Sequence, residues 1–179
     1  MSNPWLVPIT TLRRSVGTRR QEQRAGRVGE LQVADSRVAG EAEVEADVVL
    51  DSVDGGIEVA AVITAPWTGE CRRCLRVIAG TLEAEVRELY RPRPPGEPVD
   101  QDEDTYPLTG ELLDLQPLIR DAILLELPLN PLCREDCAGL CPTCGADLAD
   151  GPCDCAAPPA DPRWAALDVL RPAAPGDLV

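Results

Sequence analysis

The chain has 179 residues, with 31 acidic side chains against 17 basic ones, all of them arginine, and eight cysteines; histidine, lysine and phenylalanine are absent. Without histidine there is no Ser-His-Asp hydrolysis, Cys-His proteolysis, His-Glu-x-x-His zinc hydrolysis or zinc deaminase chemistry, and without lysine there is no P-loop or Schiff base. A formal net charge of −14 argues against a surface that coats nucleic acid, because phosphates are gripped chiefly by cations.

Charge is segregated along the chain. Residues 1–29 carry Arg13, Arg14, Arg19, Arg20, Arg24 and Arg27 against Glu22 alone, a net of +5, and the remaining 150 residues hold 11 − 30 = −19. This reads as a basic N-terminal arm on an acidic body, and the arm either folds back onto the acidic surface or binds RNA or a partner. The opening MSNPWLVPITTLRRSVGTRR places its arginines after a short, proline-broken apolar patch, so it is not expected to be a signal peptide. No apolar run approaches the ~20 residues of a membrane span. A cytoplasmic protein with no membrane partner is expected, and in that reducing compartment cysteines are metal ligands more often than disulfides.

From residue 41, Ala42, Val44, Ala46, Val48 and Leu50 alternate with acids, the period of a half-buried strand. Asp54-Gly55-Gly56 then supplies a turn, Ile57 to Trp67 a second, more apolar strand, and Leu82, Ala84 and Val86 a third, running to about Tyr90. Cys71 and Cys74 fall between the second and third strands, at a hairpin tip. Residues 92–107 combine five prolines with five acids and read as a mobile loop or linker. Asp114 can cap a helix over 115–126, with Pro117 in its first turn, Pro128 beyond its end, and an apolar face of Leu115, Leu118, Ile119, Ala122, Ile123 and Leu125 that should lie on the sheet. That helix delivers the chain to Cys133. After Cys155, Ala-Ala-Pro-Pro-Ala-Asp-Pro reads as a stiff linker, and Trp164, Leu167 and Leu170 as a short docking helix.

The expected fold is α+β: a small antiparallel β-sheet or partial barrel packed by one main helix, with a C-terminal cysteine-rich module resembling a zinc ribbon. The corresponding divisions are the basic arm 1–29, a β-rich core 30–132, the cysteine-rich module 133–155 and the linker with its short helix 156–179.

The cysteines fall as four close pairs: Cys71/Cys74, Cys133/Cys137, Cys141/Cys144 and Cys153/Cys155. Four pairs suit two tetrahedral sites of four thiolates, each pair filling two corners. Cys-Pro-Thr-Cys-Gly at 141–145 has the form of a metal knuckle, in which glycine permits a left-handed turn and backbone amides point at sulfur. Two partitions are open. One joins 141/144 to 153/155 and 71/74 to 133/137, which would tie the hairpin tip to the end of the helix; the other joins 133/137 to 141/144 and 71/74 to 153/155. Sequence proximity favours the first. Four thiolates leave no open coordination position, so the metal is structural, and zinc is expected over iron. Two such zinc sites add −2 each and take the protein from −14 to −18. Arg72, Arg73, Arg76 and Arg134 beside the ligands either balance this charge or contact phosphate.

Cys-Arg-Arg-Cys-Leu at 71–75, Leu-Pro-Leu-Asn-Pro-Leu-Cys at 127–133, the run from Cys133 to Leu148, Cys-Asp-Cys at 153–155 and Asp-Pro-Arg-Trp-Ala-Ala-Leu at 161–167 together resemble the YceD family. These are the large ribosomal RNA subunit accumulation proteins of bacteria and plastids, here in the cysteine-rich Gram-positive and actinobacterial form. The resemblance spans roughly residues 30–170; its pattern carries over to Cys71, Arg73, Cys74 and Leu75 and to the cysteines from 133 to 155. It implies a non-enzymatic role in synthesis, processing or stability of large-subunit (23S) ribosomal RNA during ribosome assembly. The partners it implies are ribosomal RNA or a pre-ribosomal particle. The acidic body and the scarcity of aromatic stacking platforms add a basic ribosomal protein or assembly factor as a docking partner, with Arg13, Arg14, Arg19, Arg20, Arg72, Arg73, Arg76 and Arg134 as candidate RNA or partner contacts. The competing class is a zinc-thiolate redox sensor or redox-controlled chaperone. No catalytic residue is expected: the acids sit on exposed strand faces or in the 100–104 linker, and no phosphate cradle or nucleophile elbow is present.

Overall fold

The computed structural model describes residues 3–93 and 105–155 together with 161, 163, 165 and 167. Two compact units divide between Gly139 and Leu140.

The first unit is built on strands β1 (Leu6–Pro8), β2 (Arg19–Gly26), β3 (Leu31–Val33), β4 (Ser36–Val38), β5 (Val44–Val53), β6 (Gly56–Glu70), β7 (Val77–Pro92), β8 (Tyr106–Leu108) and β9 (Leu112–Asp114), and on helix α1 (Gln116–Glu126). Long β6 is the spine. One edge pairs with β7 over its whole length; the other pairs first with β5, which carries β2, and then with β4, which carries β3. These ladders are antiparallel, β8 joins β7 in parallel, and β1 pairs with β9 in a separate two-stranded sheet.

Alternation decides which face is buried. Val44, Ala46, Val48 and Leu50 of β5 meet Ile57, Val59, Ala61, Ile63 and Ala65 of β6 and Leu82 and Ala84 of β7 on the inner face. Against that face α1 presents Leu118, Ile119, Ala122 and Ile123, and the N-terminal segment adds Trp5, Val7, Ile9 and Leu12. The buried Trp5 satisfies its indole by donating Nε1–H to the Arg27 carbonyl at 2.9 Å. Tyr90 stacks on Tyr106 at 5.1 Å and donates to the Asp114 carbonyl, linking β7, β8 and β9. Gly55 makes the β5–β6 turn at φ +83, and Gly56 leaves room for the Tyr90 carbonyl oxygen, which a Cβ would meet at 2.2 Å.

Several expectations are corrected. Residues 19–26, read as part of a basic arm, are a strand of the sheet. Arg-Arg-Gln-Glu-Gln-Arg has no apolar face, so nothing in its periodicity announces a strand; what joins it to the sheet is an eight-residue antiparallel ladder with β5. Arg19 pairs with Asp51, while Glu22 bridges Arg20 at 2.8 Å and Arg24 on the same face of β2. The proline-rich loop is shorter than 92–107, since Pro92 ends β7 and Tyr106–Leu108 is β8; residues 94–104 lie outside the described residues. Helix α1 begins at Gln116, with Asp114 Oδ1 accepting the Gln116 N–H at 2.9 Å from one residue before the cap. Cys133 and Cys137 belong to the first unit, not to a module beginning at 133. In the expected C-terminal helix, Trp164 and Leu170 lie outside the described residues, as does the linker 156–160.

Candidate metal centres

Cys71 and Cys74 sit in the tight turn between β6 and β7. The Cys71 N–H donates to the Arg76 carbonyl and the Leu75 N–H to the Cys71 carbonyl, both at 2.8 Å. This closes the turn, and both of its cysteines are buried. Leu75 takes φ +60 to allow it, a left-handed conformation that usually falls to glycine. Beyond α1, a bent segment through Pro128 and Pro131 returns to the same turn. The Ser36 hydroxyl donates to the Pro128 carbonyl at 2.7 Å, and the Arg72 N–H donates to the Pro131 carbonyl at 2.9 Å. Gly139 at φ +78 lets the segment pass the Arg73 carbonyl, which a Cβ would approach to 2.9 Å.

The result gathers Cys71, Cys74, Cys133 and Cys137, with every sulfur within 4.8 Å of the others. Cys71 Sγ lies 3.8 Å from Cys137 Sγ, and Cys74 Sγ lies 3.7 Å from Cys133 Sγ. A tetrahedron of sulfurs around zinc, at ~2.3 Å per bond, has edges of ~3.75 Å. The spacing therefore fits a four-thiolate metal ion.

Cys141, Cys144, Cys153 and Cys155 form a second group meeting the same 4.8 Å limit, within the second unit. Its knuckle repeats the bonds of the first: the Cys141 N–H donates to the Ala146 carbonyl at 2.8 Å and the Gly145 N–H to the Cys141 carbonyl at 2.9 Å, with Gly145 at φ +73 in the place of Leu75. The Thr143 N–H points at Cys141 Sγ from 3.4 Å. A bridge between Leu140 and Asp147 and an Asp147 carboxylate accepting the Ala149 N–H turn the chain toward Cys153.

The electrostatics of both groups ask for a cation. Backbone amides, first that of Cys133 and then that of Cys74, bring the Cys71 thiol down to about 6, and amides of Cys144 and Thr143 do the same for Cys141. The last protons are held hard: Cys133 is pushed up to about 12, first by the Cys137 sulfur and then by burial, and Cys155 to about 12, first by the Cys144 sulfur and then by burial. Four thiolates this close cannot all ionise unless a positive charge sits among them. Each group can thus hold a metal ion, and with four protein ligands leaves it no open position for water.

The candidate arginines are largely engaged within the chain. Arg73 Nη1 donates to the Cys137 carbonyl at 2.8 Å and the Glu135 carbonyl at 3.2 Å, which makes it a brace of the first centre. Arg72 bonds the Asn130 side chain, and Arg134 pairs with Asp136. The Arg76 carbonyl accepts in the knuckle. Arg13 donates to the Gly110 carbonyl, Arg19 pairs with Asp51, and Arg20 donates to the Pro8 carbonyl beside Glu22. Arg14 is exposed. What sequence reasoning missed is that Cys-Arg-Arg-Cys-Leu-Arg and Cys-Pro-Thr-Cys-Gly-Ala are the same knuckle; leucine at the left-handed position hid the equivalence.

The family model of the large ribosomal RNA subunit accumulation protein YceD matches residues 59–171, the stretch that contains both cysteine groups. The chain belongs to the YceD family. It is 38% identical over 131 residues to an uncharacterised protein of Mycobacterium tuberculosis, covering 72% of this chain and 63% of that protein. It is 35% identical over 139 residues to an uncharacterised protein of Mycobacterium leprae, covering 75% and 62%. The chain therefore spans a little under two thirds of the mycobacterial relatives it matches. The chloroplastic YCED homolog 1 of Arabidopsis thaliana, named as a large ribosomal RNA subunit accumulation protein, is 32% identical over 71 residues, 40% of this chain and 22% of that one. No solved structure matches the chain. No helix among the described residues is long and apolar enough to cross a membrane.

Proposed function

We propose that this YceD-family chain is a non-enzymatic factor for accumulation of large-subunit ribosomal RNA, supporting the processing or stability of that RNA during ribosome assembly in the cytoplasm. Two zinc ions hold its shape. The observation that carries the reading is the convergence of all eight cysteines into two four-thiolate groups in a chain of this family. Cys71, Cys74, Cys133 and Cys137 would hold one ion, and Cys141, Cys144, Cys153 and Cys155 the other. Zinc supplies charge and tetrahedral geometry and no reaction, since no ligand position remains for substrate.

The partner is a pre-ribosomal particle. A net charge of −14 disfavours wide contact with RNA and favours a basic ribosomal protein or assembly factor as the surface on which the acidic body docks. Contacts to RNA phosphates would then fall to exposed arginines, Arg14 foremost, because several of the others, Arg72 included, are committed to groups of the chain itself. Two measurements test the reading. Depletion in the native host should lower mature large-subunit RNA relative to small-subunit RNA, and an unchanged ratio rejects the role. Native mass spectrometry should show two zinc ions per chain; iron or an empty chain rejects the zinc assignment.

A further inference from the structure

The two centres have the same ligands and unlike surroundings. In the first, Cys71, Cys74 and Cys137 are buried, and Cys133 is the one ligand that reaches solvent. The segment that carries Cys133 and Cys137 is fastened by the Arg73 guanidinium, by the Arg72 amide and by Ser36. In the second, Cys144 is exposed and Cys153 and Cys155 are half-buried. Hydrogen bonds between near neighbours fold residues 140–150, and Gly151 at φ +137 leads into the last two ligands.

The support beneath each centre differs as well. The hydrophobic core lies in the first unit, and among the described residues of the second unit Cys141 is the only buried apolar side chain. Apolar burial is the main force that keeps a unit folded once a metal has gone. The first unit retains that force, whereas the described residues of the second contribute a single such side chain.

We propose that the centre of Cys141, Cys144, Cys153 and Cys155 is an oxidant-responsive switch, while the centre of Cys71, Cys74, Cys133 and Cys137 is a permanent staple. The inference rests on metal binding by both groups and not on the role in ribosome assembly. The oxidant is a peroxide. The exposed Cys144 thiolate attacks one peroxide oxygen, an S–O bond forms as the O–O bond breaks, and hydroxide leaves; the product is a sulfenic acid. A neighbouring thiolate of the group then attacks that sulfur, forming an S–S bond and expelling a second hydroxide. Two thiolates lose one electron each, and one peroxide is reduced to two hydroxides. With two of four ligands gone the ion departs, and residues 140–155, in which Cys141 is the one buried apolar side chain, lose their fold. A thiol reductant together with zinc reverses the sequence.

The test uses the unmutated, zinc-loaded full chain. Hydrogen peroxide is added, zinc release is followed with a chromogenic chelator, and disulfides are mapped by differential alkylation and mass spectrometry. One equivalent of zinc should leave at least about tenfold faster than the other, because thiolate oxidation follows access. The first disulfide should lie within 141–155, and tyrosine near-UV circular dichroism, which reports the first unit, should hold through this phase. Dithiothreitol with zinc should restore the starting state. Simultaneous loss of both equivalents, first oxidation within 71–137, or no release at millimolar peroxide would each overturn the switch while leaving metal binding intact. A chain that takes up no zinc overturns the metal reading and the switch with it.

Discussion

Removing the first centre by Cys133→Ser/Cys137→Ser tests whether it staples the fold. Closing it joins Cys74 to Cys133 across 59 residues of chain. If the metal crosslink restricts the unfolded chain as a covalent one does, a loop of that length removes about 14 cal/mol/K of entropy from the unfolded state. The first unit, Met1–Gly139, has an unfolding entropy of about 290 cal/mol/K, taking ~2.1 cal/mol/K per residue. The ratio of the two, applied near 330 K, lowers the melting temperature by about 16 °C. The comparison is Cys153→Ser/Cys155→Ser, which opens a short loop confined to the second unit and should shift this transition by no more than about 2 °C. Both tyrosines and two of the three tryptophans lie in the first unit, so near-UV circular dichroism under reducing conditions reads chiefly its melting. Equal shifts for the two double variants, or no shift for the first, would refute the staple.

Three further outcomes are expected. Burial, followed by the charges of nearby groups, raises the Tyr90 phenol, and burial with the Asp121 hydrogen bond raises Tyr106. Folding thus favours both neutral phenols, a contribution complete below the unfolded value of ~10 and lost as pH rises beyond it. Absorbance at 295 nm should stay flat through pH 10 in the folded protein and rise together with unfolding; a two-tyrosine step before unfolding would contradict the packing. Gly56→Ala drives a methyl group to 2.2 Å from the Tyr90 carbonyl oxygen and should cost about 1–3 kcal/mol in urea denaturation, whereas a neutral result would mean that β6 and β7 separate freely there. Leu75→Gly relieves a left-handed leucine that is 60% exposed and should raise stability by up to about 1 kcal/mol with zinc binding retained; a fall in stability would show that the leucine side chain is packed.

Much of the fold was legible in the sequence wherever one face had to be apolar. The alternation from Val44 to Leu50 announced β5, and the spacing of Leu118, Ile119, Ala122 and Ile123 announced the buried side of α1. Strand β2 was not legible, because a strand joined by its backbone ladder and carrying polar side chains has no hydrophobic period to read; its arginines resemble a free basic arm until β5 is set beside them. The knuckle at 71–76 was half visible: the cysteines showed it, and Leu75, where glycine is customary, disguised it.

Composition alone excluded imidazole from the two metal groups, since a chain with eight cysteines and no histidine has no nitrogen ligand of that kind to offer. Pair spacing also determined that each pair would occupy two corners of a site. Tertiary structure decided which pairs meet. It brought Cys133 and Cys137 back to the β6–β7 turn through Pro131, Ser36 and Arg73, and left Cys141, Cys144, Cys153 and Cys155 to their own short loop. The physical reason is one of distance along the chain: spacing of two or three residues constrains geometry locally, whereas closure across 59 residues depends on the sheet and helix lying between them.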